Sequence, residues 1–150
     1  NIDHIFFGAN HSFSPESNDE WTAWEQLIQH FLNSGKYCSL DIHVKYTEDF
    51  RTKGSQPVVT REWYKTLGWH FPPYFLHWYV DTYTMKLGVE SKTLIYRDDI
   101  EIIQKKIMDD TAKRMRTNKI KERDKWLFDL LVKTTLPNDV NKIRKAINES

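Results

Sequence analysis

His77, Asp81 and Thr84 follow one another at spacings of four and three inside a segment, 73 to 87, whose pattern reads as a helix opened by Pro72 and Pro73 and ended by Gly88. Helical spacing places the three on one polar stripe, beside an apolar row of Leu76, Tyr79, Val80, Tyr83 and Leu87. A carboxylate and an imidazole, both able to carry protons, thus share a face. The same two residues also fit a plain structural helix-face pair. Trp63, Trp69, Tyr74 and Trp78 crowd the surrounding block from Thr60 to Tyr96, which could be a pocket wall as much as a core. Asp98 and Asp99 follow a strand-like run, Lys92 to Tyr96.

The remaining reactive residue types have plainer readings. His43 and Asp41 alternate on one strand face and read as surface. Asp3, His4, Asn10 and His11 include metal-ligand types, but their spacing matches no diagnostic ligand set. Cys38 alternates with apolar neighbours and reads as a buried hydrophobe, and Trp21 and Trp24 read as core.

The elements that must position these residues are mixed. Ile2 to Gly8 reads as a short strand. Asn18 caps a helix running to about Asn33, with Gly35 as its stop, and 37 to 46 alternates cleanly as a second strand. That order suggests a βαβ unit, which would put the loop 47 to 57 at a strand's carboxyl end, where ligands bind in such folds. Thr60 caps a short helix ending at Gly68, and the Pro-led helix and a strand over 92 to 96 come next. Ile100 to Ile107 fits either strand or helix. Trp126, Leu127, Leu130 and Leu131 mark a helix, and another after Pro137 has Val140, Ile143 and Ile147 on its inner face. The expected fold is α/β, a single small domain over 1 to 150 with a βαβ-like start, a helical C-terminal third and a candidate boundary near 47 to 57.

A chain of 150 residues holds one domain with a real core and is too short for two substantial ones. No apolar run is long enough to span a membrane, so the reading is of a soluble, cytoplasmic protein with no membrane partner. Its single cysteine permits no internal disulfide and agrees with a reducing compartment. The chain begins at Asn1, so either an initiator methionine was removed or further sequence precedes it.

A formal net charge of +1 hides an asymmetry. Residues 1 to 50 carry eight acids against two bases, whereas 51 to 150 carry twenty bases against thirteen acids. Residues 105 to 125 alone hold nine bases and four acids, which predicts a solvated helix or helix pair with at most weak, non-specific nucleic-acid binding. No phosphate loop, zinc-finger spacing or RNA-binding aromatic signature accompanies them.

Two resemblances rest on longer runs. The segment VVTREWYKTLGWHFPPYFLHWYVDTYTMKLG with the following LIYRDDIEII, within residues 58 to 111, resembles the acceptor-side part of viral and bacterial glycosyltransferases of the A-type fold. FFGANHSFSP, WTAW and CSLDI, within residues 1 to 46, resemble the start of small proteins of tailed phages, which carries no chemistry but points to a viral origin and the host cytoplasm.

The transferase resemblance implies roles. Asp81 would be the base that deprotonates the acceptor hydroxyl, and His77 would orient that acceptor. Trp69, Trp78 and Tyr74 would contact substrate, with the tryptophans stacking on a sugar ring. Asp98 and Asp99 would hold a divalent ion such as Mn or Mg against the leaving diphosphate. The partners would be a nucleotide sugar and an acceptor, for an active transferase or for a degenerate, non-catalytic relative that keeps the fold. The alternative is a small viral accessory protein that binds a host or virion protein, a use for which aromatic and Arg-rich surfaces are suited.

Overall fold

The structure, a computed structural model, describes residues 5–6, 39–46, 56–104 and 109–149, with side chains described in 57–96 and 109–149. Four strands form one mixed sheet in the order β1-β3-β2-β4: β1 (Ile5–Phe6), β2 (Ser39–Tyr46), β3 (Gln56–Thr60) and β4 (Leu94–Gln104). The alternating strand is central as its pattern requires, running antiparallel to β3 and parallel to β4. Both β1 and β2 are antiparallel to β3, so the two run the same way with β3 between them. Gln56 and Pro57, expected in the loop 47 to 57, instead open β3 and pair with Ile42 and Asp41. The expected helix over 19 to 33 and residues 47 to 55 of that loop lie outside the described residues. So do the side chains of His4, Cys38, Asp41 and His43.

Helix predominates among the described residues. The elements are α1 (Arg61–Leu67), α2 (Val80–Ser91), α3 (Asp110–Met115), α4 (Asn118–Thr134) and α5 (Leu136–Glu149). Thr60 and Gly68 bound α1 as expected, and Gly68 closes it at φ 82, with its N–H donating to the Tyr64 carbonyl at 2.8 Å. The basic stretch is a helix pair, as its composition predicts. Asp109 caps α3 by accepting the Ala112 N–H at 2.7 Å, and Thr117 caps α4 by accepting that of Ile120 at 3.4 Å.

Three expectations are corrected. The Pro-led helix does not start at 73. Residues 73 to 79 form turns, and α2 begins only at Val80, after Tyr79 at φ 70. Gly88 does not stop it either, since the helix runs through this buried glycine to Ser91. Lys92 ends it in the left-handed conformation, and the Thr93 N–H returns to the Gly88 carbonyl at 2.9 Å. Lastly, the strand expected over 92 to 96 continues to Gln104, so Asp98 and Asp99 lie within it and not after it. They fall where the β2–β4 register breaks, between the pairs Ile42–Arg97 and His43–Glu101.

The core forms where α1, α2 and α5 meet β3. Val59, Trp63, Leu67, Tyr83, Leu87, Leu136 and Ile143 are buried together, with Trp69, Tyr74, Phe75, Phe128 and Val140 packed against them. Withdrawing each aliphatic side chain from water contributes about 1.5 to 3 kcal/mol. Ile147, expected on the inner face of α5, is exposed. No helix among the described residues is long and apolar enough to cross a membrane.

Candidate functional site

Two fully or nearly buried carboxylates, neither singled out in the sequence, organise the aromatic block. Asp124 of α4 is 0% exposed. Its Oδ1 accepts the Leu76 N–H at 3.1 Å, and its Oδ2 accepts those of His77 and Trp78 at 2.9 Å each. Arg123 donates to Oδ1 at 2.7 Å. A buried charge is costly unless its lone pairs are filled, and here four donors fill them. Burial alone would push the Asp124 carboxyl up, but the three backbone donors and Arg123 outweigh it and hold the group below its ordinary range. The carboxylate therefore takes up amides that an α-helix over 73 to 79 would have bonded internally, which is the physical reason that α2 starts late.

Asp139 of α5 makes the second focus. Its Oδ2 accepts the Tyr83 hydroxyl at 2.9 Å and lies 3.5 Å from that of Tyr74, and Lys142 Nζ sits 3.7 Å from Oδ1. Burial, then the hydrogen bond and charge of Asp139, raise the Tyr83 phenol far above its ordinary value. Burial and Asp139 raise Tyr74 as well. Trp69 meets Tyr74 edge-on at 6.2 Å and Tyr83 at 6.3 Å. Tyr74 and Trp69 thus belong to the packing over Tyr83.

The structure separates the expected substrate-contact residues into two groups. Trp69 and Tyr74 lie on the Asp139 side, while His77, Trp78 and Asp81 gather on the Asp124 side. His77 is not on the helix that carries Asp81, so the three-residue stripe does not form. Thr84 is buried, and its hydroxyl donates to the Val80 carbonyl at 2.9 Å. His77 and Asp81 nevertheless come within electrostatic reach. Burial and then Arg116 hold the imidazole below its ordinary value, against the opposing pull of Asp124 and Asp81. Asp81 opens α2 and accepts the Thr82 N–H at 2.8 Å. The His77 ring meets Trp78 edge-on at 5.2 Å.

Two cations complete this side. Lys121 Nζ lies 5.3 Å and the Arg116 guanidinium 5.9 Å from the Trp78 ring centroid, distances at which a cation is drawn to the π-face. Among the described residues no group of three or more His, Cys, Asp or Glu could hold a metal ion. The side chains of Asp98 and Asp99 lie outside those described.

The missed carboxylates did leave a signal. Asp124 falls four residues after Ile120 and four before Phe128, and Asp139 falls three after Leu136 and four before Ile143. An acid embedded in an apolar helical row must find donors when that row is buried. Arg116 and Lys121 left none, because nothing in the basic run sets them apart from their neighbours. Compared with protein-family models, curated proteins and solved structures, the chain matches none.

Proposed function

We propose that the protein works by binding another protein, and that the outer stripe of α4 makes the contact. The observation that carries this reading is the exposure of Trp126 at 67% together with Leu130 at 42%, four residues apart on one helical stripe. Single exposed apolar residues are ordinary, but an exposed indole beside a leucine is the kind of anchor that a partner's pocket buries. Lys119 and Lys133, both exposed, extend the stripe in each direction. A partner with an acidic rim around an apolar pocket fits that arrangement. Under the phage resemblance such a partner is a host or virion protein met in the cytoplasm. The experiment uses the chain and its Trp126→Ala variant as paired baits. A defined complex of fixed stoichiometry should form with the wild type and weaken by at least about tenfold in the variant, the cost of losing a buried anchor. The same complex with both baits rejects the reading.

Nucleotide-sugar transfer is the second reading, favoured by the approach of His77 to Asp81. In it Asp81 takes the acceptor proton, Trp78 stacks on the sugar, and Asp98 and Asp99 bind the divalent ion. A non-catalytic relative would keep the ligand site without the turnover.

A further inference from the structure

The outer stripe of α4 is charged at both ends and apolar in the middle. Glu122, Trp126 and Leu130 follow one another at intervals of four, and Lys133 comes three residues later, so all four lie on one side of the helix. Each of them is exposed. The acid stands toward the start of the helix and the base toward its end, with the indole and the leucine between them.

The two end charges are uncommitted within the chain. The ion pairs of α4 join Arg123 to Asp124 and Lys125 to Asp129, each at 2.7 Å, and neither Glu122 nor Lys133 has a charged partner among the described residues. What remains is a pattern that complements its own reverse. When a second α4 is laid antiparallel along the first, with Trp126 opposite Leu130 and Leu130 opposite Trp126, position 122 falls opposite 134 and Lys133 opposite 123. Glu122 of one copy and Lys133 of the other are then one residue out of line, about 1.5 Å along the axis, which a lysine stem spans. A two-fold arrangement makes that contact twice. A parallel arrangement sets Glu122 against Glu122 and Lys133 against Lys133, and is repelled. Lys119 falls opposite position 137, past the end of the second copy's α4.

We propose that a second copy of this chain covers the stripe when no other partner does, with the two α4 helices antiparallel, Trp126 packed on Leu130 and Glu122 paired with Lys133 across the two-fold. The proposal rests on the reading of the α4 stripe as a docking surface and adds how that surface is regulated. At 17 residues α4 is about 25 Å long. Two such helices bury less than the roughly 1,200 Å² at which stable interfaces begin, so the dimer is reversible. It covers Trp126 at rest and yields it to a partner whose pocket encloses more of the ring and supplies more acid around it.

The test is sedimentation equilibrium of the full chain from about 1 μM to about 1 mM, the range in which a weak interface dissociates. A monomer–dimer equilibrium is expected, and it should weaken as added salt screens the end charges. Glu122→Lys and Lys133→Glu, each alone, replace two attractions by two repulsions and should weaken the dimer by about tenfold or more. The double reversal, and an equimolar mixture of the two single variants, should restore the wild-type affinity. Trp126→Ala should abolish the dimer. All the replaced side chains are exposed, so circular dichroism should show the wild-type fold in every variant. A wild-type chain that is monomeric throughout, a dimer that Trp126→Ala or either single reversal leaves intact, or a double reversal that fails to restore it would each overturn the antiparallel pairing. The paired baits at Trp126 report separately. A Trp126-dependent complex formed by a chain that never dimerises keeps the docking reading and removes the self-pairing, whereas the same complexes with both baits reject the docking reading itself.

Discussion

Asp124 accepts the backbone N–H of Trp78 at 2.9 Å across 46 residues of sequence. One buried carboxylate on α4 thereby fixes the turn that presents His77 and Trp78 and sets the point at which α2 can begin. Removing it leaves three backbone donors without their acceptor. Asp124→Ala should destabilise the fold by about 3 kcal/mol or more, since each stranded buried polar group costs about 1 to 3 kcal/mol. Urea denaturation checks the magnitude, and hydrogen exchange at 76 to 78 checks the location.

The acid limb of stability should depend on the same residue. The carboxyl of Asp124 is held below its ordinary value in the folded state, so its stabilisation is fully present above the unfolded value, about pH 4, and is lost as pH falls through the folded one. His77 works at higher pH with the same sign. Its folded value is lowered, so the unfolded chain takes up its proton first and stability falls as pH drops below about 6.5. Denaturation curves between pH 3 and 8 should lose the lower component in Asp124→Ala and the upper one in His77→Gln.

Tyr83→Phe removes the hydroxyl that donates to Asp139 at 2.9 Å inside the core. A loss of about 1 to 3 kcal/mol is expected, because the carboxylate stays buried with fewer donors. A double-mutant cycle with Asp139→Asn, read by thermal or urea unfolding, should give a coupling well above zero, whereas strictly additive effects would show that the hydrogen bond contributes nothing.

Asp81→Asn separates catalysis from structure. Asp81 is only part-buried and contacts its own neighbour, so stability should change by less than about 1 kcal/mol, the usual scale of a charge at a helix start. Under the transferase reading, turnover of a nucleotide sugar should fall by about 100-fold or more while donor binding persists. Unchanged turnover in this variant removes Asp81 as the base.

Trp126→Ala should leave the melting temperature close to that of the wild type, because most of the side chain is already in water. Trp63→Ala, at a position with no exposure, should cost about 3 to 5 kcal/mol in the same assay.

Local chemistry was sufficient wherever one residue's neighbours decide its conformation. Alternation over 37 to 46 placed the central strand, which is described from Ser39 to Tyr46. Thr60 and Gly68 bounded α1, and the basic run 105 to 125 announced a solvated helix or helix pair, which is a pair from Asp110 onward. The turn 73 to 79 could not be read in this way. Pro72, Pro73 and an apolar row at helical spacing favour a helix there, but Asp124 offers the amides of 76 to 78 a charged acceptor from 46 to 48 residues away. The same limit applies to the ligand side. His77 and Asp81 approach one another, but through a turn and not along a helix, and Arg116 and Lys121 reach Trp78 only because α3 and α4 pack beside that turn. Periodicity and capping are short-range, so they determined most of the described elements. Which buried carboxylate satisfies which distant amide, and which cations share a ring, are long-range pairings that only the tertiary structure decided.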